Sequence, residues 1–132
     1  MKLFKKDLPF FVFALFLILV VSNLFAYKFF LYWRWWWLDI IIHTLGGVWL
    51  GFVMLSLLNI FGGITVREKS PTLFVIIVMS FASFGGMLWE FLEYMLKNTL
   101  QIGIRDTIYD LFFDTVGGLI AALSTFVRNE VD

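Results

Sequence analysis

The chain contains no cysteine, only two prolines and a single histidine in its 132 residues. Without cysteine it has neither disulfide bonds nor thiolate metal ligands. Charge is also scarce, because 15% of the residues are charged, whereas a soluble domain carries about a quarter. Ten basic and ten acidic residues cancel. The sequence therefore lacks the excess of positive charge that indicates a nucleic-acid partner.

What the sequence has in abundance is apolar surface, with 61% hydrophobic and 20% aromatic residues and a mean hydropathy of +0.92. Four apolar runs are long enough to cross a bilayer, which takes about 20 helical residues. Runs of this length satisfy their backbone in lipid as helices. We therefore predict an all-α polytopic membrane protein, a four-transmembrane-helix bundle forming one domain over residues 1–132. The predicted spans are about 8–26, 38–61, 72–96 and 106–127.

Polar segments separate these spans. GGITVREKSP, with its charges and proline, is a natural break between the second and third spans, and KNTLQIGIR links the third to the fourth. The basic start MKLFKK is similar to that of a secretory signal, but the apolar region after it is longer and SNLFAYKFF is a poor cleavage site. We therefore expect the first span to be retained.

The distribution of Lys and Arg in the short loops predicts the orientation. With the N-terminus inside, six basic residues lie on the inner side: Lys2, Lys5, Lys6, Arg67, Lys69 and Arg128. Four lie on the outer side: Lys28, Arg34, Lys97 and Arg105. The excess favours a multi-pass protein of the cell membrane, surrounded by membrane lipids, with both termini in the cytoplasm.

The segment YKFFLYWRWWWLD between the first two spans is unusually aromatic. Tyr and Trp concentrate at membrane interfaces, where the ring is buried and the polar atom stays wet. The segment is therefore expected to be an aromatic belt that anchors two helix ends. The alternative is a lipid-facing platform or lid beside a site, because Trp33, Trp35, Trp36 and Trp37 exceed what a simple belt requires.

A set of ionisable residues falls in or beside the spans, where charge is expensive and usually carries function. Its members are Asp39, His43, Glu90, Glu93, Asp106, Asp110 and Asp114. Asp39 and His43 are one helical turn apart and share a face of the second span. Glu90 and Glu93 share a face of the third, and the three aspartates of the fourth recur every fourth residue.

The depth of these residues predicts a common location. They lie at the start of the second span, near the end of the third and at the start of the fourth. In an alternating bundle those three places are at the same membrane face, which is the outer one in the predicted orientation. Small residues extend each polar stripe, so the stripes are expected to face other helices. These small residues are Gly46, Gly47, Gly51, Ser83, Gly86, Gly117, Gly118 and Ala121.

Six carboxylates in one confined site need compensation, by protonation or by a bound cation. Carboxylates with one imidazole suit a divalent ion such as Mg²⁺, Mn²⁺, Fe²⁺ or Zn²⁺. We predict a metal site whose ligands are His43, Glu90, Asp110 and Asp114. The alternative is a polar network that joins the helices without a ligand.

The other candidates have local explanations as well as functional ones. Asp39 or Glu93 is predicted to act as a general base, and Arg105 to bind an anionic head group. However, Asp39 and Asp106 are also good helix N-caps, and Glu93 could pair with Lys97 at i+4.

Three stretches at these positions resemble VanZ-like membrane proteins and, more closely, the related YjdF-type family of bacterial inner-membrane proteins. They are DIIIH (39–43), WEFLE (89–93) and RDTIYDLFFDTVGG (105–118). The VanZ-like pattern has an Asp and a His four apart, a Glu followed three later by Gln, and then Arg and an Asp-x-x-x-Asn-x-x-Gly element.

The resemblance covers about residues 39–122. Glu93 stands where the VanZ-like pattern has Gln and Asp114 where it has Asn, and both follow the YjdF-type pattern. The resemblance implies a small polytopic membrane protein without implying an established reaction. The matching positions are Asp39, His43, Glu90, Arg105, Asp110 and Gly117.

Three functional classes remain open at this stage. The first is a metal-dependent hydrolase that acts on a lipid or lipid-linked substrate at the outer leaflet. The second is a small proton- or cation-coupled transporter, and the third is a non-catalytic membrane accessory factor.

Overall fold

The computed structural model describes residues 2–61, 64–96 and 103–127, and every regular element within them is a helix. In chain order the elements are α1 (Lys2–Lys28), α2 (Leu31–Arg34), α3 (Trp37–Ile60), α4 (Ile64–Lys69), α5 (Pro71–Leu96) and α6 (Ile104–Val127). The linking segments 62–63 and 97–102 lie outside the described residues, as does Arg128.

Among the described residues, four helices carry a stretch long and apolar enough to cross a membrane. These stretches are Leu8–Lys28, Trp37–Ile60, Pro71–Met95 and Ile104–Phe126. The prediction of an all-α, four-helix membrane bundle is therefore confirmed. α5 begins at Pro71 rather than at the next residue, because the missing N–H of proline is not needed at the first position of a helix.

The polar break before α5 is more ordered than the sequence predicts. Part of it forms α4, and a turn at Ser70 joins α4 to α5. The Ser70 N–H donates to the Val66 carbonyl (2.8 Å), and the Ser70 carbonyl accepts from Phe74 N (3.1 Å). From Ile64 to Ser70 the polar break therefore consists of helical turns rather than an open loop.

α3, α5 and α6 pack closely because small residues line their contacts, as the stripes of small residues predict. A Cβ added at Gly47 would collide with the backbone carbonyl of Asp114, and one added at Gly117 would collide with the carbonyl of Thr44. The backbones of α3 and α6 therefore touch at a separation that only glycine allows.

The end of this interface away from the predicted site is filled by apolar side chains. They come from the second half of α3, the first half of α5 and the second half of α6. We call this group the apolar cluster; it consists of Leu55, Phe74, Val78, Ala121 and Ala122.

α1 lies at the edge of the bundle, and residues in the N-terminal half of α1 contact α3. The Phe11 ring meets the Phe52 ring edge-on, with centroids 5.1 Å apart. Phe16 packs on Trp49 at 5.3 Å, and Trp49 Nε1 donates to the Val12 carbonyl at 3.0 Å. These contacts fix α1 antiparallel to α3.

Candidate functional site

The centre of the predicted site is His43, which is 6% exposed. Its Nδ1 lies 3.3 Å from Asp114 Oδ2. Its Nε2 lies 3.7 Å from Asp39 Oδ1, 3.8 Å from Asp110 Oδ1 and 4.0 Å from Glu90 Oε1. One imidazole is thus surrounded by four carboxylates from three helices. These five residues are called the His43 cluster below.

Helical spacing and close packing together build this cluster. Asp39 lies one turn before His43 on α3, and Asp110 lies one turn before Asp114 on α6. Asp114 is 3% exposed because it fits between two glycine-lined helix surfaces. A Cβ at Gly86 of α5 would collide with its carboxylate, just as a Cβ at Gly47 would collide with its carbonyl.

Glu90 brings a carboxylate from α5 whose two oxygens have different surroundings. Its Oε2 accepts a hydrogen bond from Thr107 Oγ1 at 3.0 Å. Its Oε1 is buried and has no hydrogen-bond partner among the described residues, although it lies 4.0 Å from His43 Nε2. Burying a carboxylate oxygen without a partner costs free energy. A hydrogen-bond donor or a cation next to this atom would remove that cost.

The His43 cluster offers ligands for a metal ion. Asp39, His43 and Asp110 each offer one ligand atom, and these atoms lie within 4.8 Å of one another. Glu90 Oε1 lies near the same nitrogen of His43. Carboxylates with one neutral imidazole form a donor set for Mg²⁺, Mn²⁺, Fe²⁺ or Zn²⁺. The residues therefore fit a divalent ion.

The other predicted residues lie around this centre. Glu93 is half-buried and accepts a hydrogen bond from Trp89 Nε1 at 3.0 Å, while its predicted partner Lys97 lies outside the described residues. The exposed Arg105 lies over the Tyr109 ring, 5.7 Å from its centroid. Within the described residues, no ion pair joins Arg105 to the cluster carboxylates.

The alternative assignment of two aspartates as N-caps is wrong. The N-cap of α3 is Trp36, so Asp39 lies inside the first turn. Asp106 also lies in the first turn of its helix, where its N–H donates to the Gly103 carbonyl at 2.9 Å. Both helices begin upstream of the aspartates, so these carboxylates are free to turn towards the site.

The belt and the platform or lid both stay predictions for the aromatic segment. Trp33 is 67% exposed and Trp36 is 73% exposed. Tyr32 on α2 is half-buried. Burial raises the pKa of Tyr32 above its ordinary value, and the carboxylates of Asp39 and Glu93 raise it further because they would repel a phenolate. Tyr32 therefore stays a neutral hydroxyl close to the site.

Sequence reasoning did not single out the hydroxyl groups that support the cluster. Thr107 was hidden inside the aspartate repeat, and its bond to Glu90 depends on how α5 meets α6. Directly after Asp114 on α6, the Thr115 hydroxyl meets the Ser83 hydroxyl at 2.5 Å and joins α6 to α5. The sequence pattern marks Ser83 only as a small residue.

A pocket of about 170 Å³ opens beside the cluster, between α1, α3 and α5. His43 and Asp114 form its polar floor, and Trp49 and Phe16 are among its apolar walls. The pocket therefore meets the Nδ1 side of His43, whereas the candidate metal ligands lie on the Nε2 side.

The family model described as "Predicted membrane protein (DUF2238)" matches residues 3–130. The chain belongs to this family. Membership agrees with a multi-pass protein of the membrane, while the side on which the termini lie stays a prediction. The resemblance to VanZ-like and YjdF-type proteins also stays a prediction, because the family description names neither. Nothing among the curated proteins or the solved structures matches the chain.

Proposed function

We propose that this family member is a metal-dependent hydrolase of a lipid or lipid-linked substrate. The observation that carries the proposal is the convergence of carboxylates on His43 Nε2 around a buried Glu90 oxygen that has no hydrogen-bond partner in the described part of the chain. A network that only joined helices would satisfy that oxygen. A divalent ion satisfies it and also offsets the charge of the neighbouring carboxylates.

The distances support particular ligands. Asp39, His43 and Asp110 would hold the ion through Oδ1, Nε2 and Oδ1, with Glu90 Oε1 next to them. Asp114 would accept the N–H of His43 Nδ1 and so keep Nε2 free to bind metal. This differs from the sequence-based assignment, in which Asp114 is a ligand and Asp39 a candidate base.

The residues at the rim have the chemistry that hydrolysis needs. When bound, the ion would supply Lewis acidity for water activation and for polarising a phosphoryl or acyl group. Glu93, held by Trp89 at 3.0 Å, is the carboxylate available to take a proton from water. The exposed guanidinium of Arg105 at the start of α6 is suited to an anionic head group.

A proton- or cation-coupled transporter is the second candidate, favoured by buried ionisable groups in a membrane bundle. Transport needs a path to the opposite face. In the part of the chain that the structure describes, the apolar cluster fills the other end of the α3–α5–α6 interface. A closed apolar end agrees better with an enzyme that acts at one membrane face than with a transporter. It also agrees with a non-catalytic accessory factor.

The test is lipid turnover by the purified protein in vesicles of phosphatidylethanolamine, phosphatidylglycerol and a polyprenyl diphosphate. We expect metal-dependent breakdown of one lipid, seen by mass spectrometry, which stops with a chelator and in Glu93→Gln. Glu68→Gln is the control, because Glu68 is an exposed residue of α4. Intact lipids with metal-loaded protein would contradict hydrolysis. A proton flux abolished by Glu90→Gln would support transport instead.

A further inference from the structure

The pocket beside the His43 cluster is apolar along its length and polar at its floor. From α1 it is lined by Phe16, Leu19 and Val20, and its floor is formed by His43 and Asp114. The helices around it are candidates for crossing the membrane. An opening between them at that depth faces lipid rather than water.

α1 contacts α3 at one end of this opening. Trp49 bonds to the Val12 carbonyl and packs on Phe16. Further along α1, glycines of the facing helices contribute no side chains to the space: Gly46 of α3 and Gly85 of α5 both line the pocket. The result is a cleft between α1 and the rest of the bundle that extends from Trp49 to the cluster.

α1 brings one amide to this cleft. Asn23 lines the pocket together with His43 and Asp114, and α1 is otherwise strongly apolar between Leu8 and Lys28. Because α1 runs antiparallel to α3 from the Val12–Trp49 bond, Asn23 reaches the level of the first turns of α3. Polar groups thus gather at one end of the pocket and apolar groups at the other.

We propose that the hydrocarbon chain of a membrane lipid occupies this pocket, with the polar end of the lipid at His43, Asp114 and Asn23. The inference rests on the proposed function in one respect, that the bound lipid is then hydrolysed. It adds the route by which this substrate enters. The substrate slides in sideways from the bilayer, between α1 and α5. Its chain lies along α1, and its polar end lies next to the His43 cluster.

The shape and polarity of the space favour a lipid chain over other occupants. About 170 Å³ corresponds to roughly six water volumes of about 30 Å³ each. Water needs two to four polar partners per molecule, and the walls from α1 and α3 are largely apolar. A flexible hydrocarbon chain fills such a space without losing hydrogen bonds, and its head group can use the polar floor.

Two neighbouring valines of α1 give a matched test. Val20 lines the pocket, whereas Val21 is 63% exposed on the lipid side. Val20→Trp fills the pocket, and Val21→Trp makes the same change on the same helix outside it. The probe is phosphatidylglycerol with a diazirine in the middle of one acyl chain, in vesicles of phosphatidylethanolamine and phosphatidylglycerol. Adducts at Trp49 are read by mass spectrometry relative to adducts at the exposed Phe13.

We expect labelled Trp49 in the wild type, about tenfold less in Val20→Trp because the pocket is overfilled, and the wild-type level in Val21→Trp. An unlabelled Trp49 in the wild type, or equal labelling in the two variants, would overturn the inference. Metal content measured on the same samples separates the two proposals. Labelling of Trp49 in protein without metal would support the lipid pocket and contradict the hydrolase proposal. Bound metal without labelling would contradict the lipid pocket and leave the hydrolase proposal supported.

Discussion

The two ends of the α3–α5–α6 interface are built by the same three helices and the same close packing, but they are filled differently. One end holds buried His43, Asp110 and Asp114, and the other holds the apolar cluster. The apolar end shows that this bundle can be packed without charge. The polar end is therefore expected to serve a ligand rather than stability, and substitutions at the two ends should have opposite effects.

The largest effect is expected between the two ends, at Gly117. In Gly117→Ala the new methyl group would collide with the Thr44 carbonyl and push α3 and α6 apart. We expect a loss of about 3 kcal/mol in the free energy of unfolding, together with loss of any bound metal, measured by thermal unfolding in detergent. Gly103→Ala is the control, since a Cβ there meets nothing within 4 Å. Equal stability of the two variants would show that the close approach is not needed.

At the apolar end, Phe74→Ala should lower stability and leave metal content unchanged. Phe74 is 4% exposed and packs edge-on against Phe126, with ring centroids 6.0 Å apart. We expect a loss of about 2 kcal/mol, which is below the range for Phe→Ala in soluble cores because lipid is as apolar as the side chains that line the cavity. Leu73→Ala, at a position 49% exposed, should change stability by less than about 0.5 kcal/mol. If Phe74→Ala released the metal, the two ends would not be independent.

At the polar end, Glu90→Gln should raise the stability of the metal-free protein instead of lowering it. The amide keeps an acceptor for Thr107 but removes one of the charges crowded around His43. We expect the metal-free protein to gain about 1 kcal/mol while its metal affinity falls at least about tenfold. Unfolding of chelator-treated samples measures the first, and a metal titration measures the second. A metal-free variant less stable than the wild type would indicate that Glu90 serves the fold.

The sequence predicts the helices and the convergence of the polar residues well, because both follow from periodicity. Asp39 and His43 had to share a face, and alternating spans had to bring them to the membrane face of Glu90 and Asp110. Which nitrogen of His43 meets which carboxylate could not be predicted, since it depends on side-chain rotamers and on how far each helix is rotated.

The pattern of residue types in the sequence does not predict the pocket or the residues at which the helices begin. Between Leu8 and Lys28 α1 is apolar on most of its surface, so its sequence does not show which face meets α3 or that Asn23 would line a cleft. The N-cap assignment of Asp106 failed because α6 continues upstream to Ile104, where no polar residue marks the start. Interfaces between apolar helices are decided by shape, which residue type alone does not encode.

The most direct test of the account is the metal content of purified protein, with Asp110→Asn set against Asp106→Asn. The two residues lie one turn apart on α6, and only Asp110 belongs to the group of candidate ligands with Asp39 and His43. We predict a divalent metal bound to the wild type and to Asp106→Asn and lost from folded Asp110→Asn, as measured by elemental analysis after dialysis. A wild type that stays metal-free after incubation with Mg²⁺, Mn²⁺, Fe²⁺ and Zn²⁺, or an Asp110→Asn variant that keeps its metal, would contradict the account.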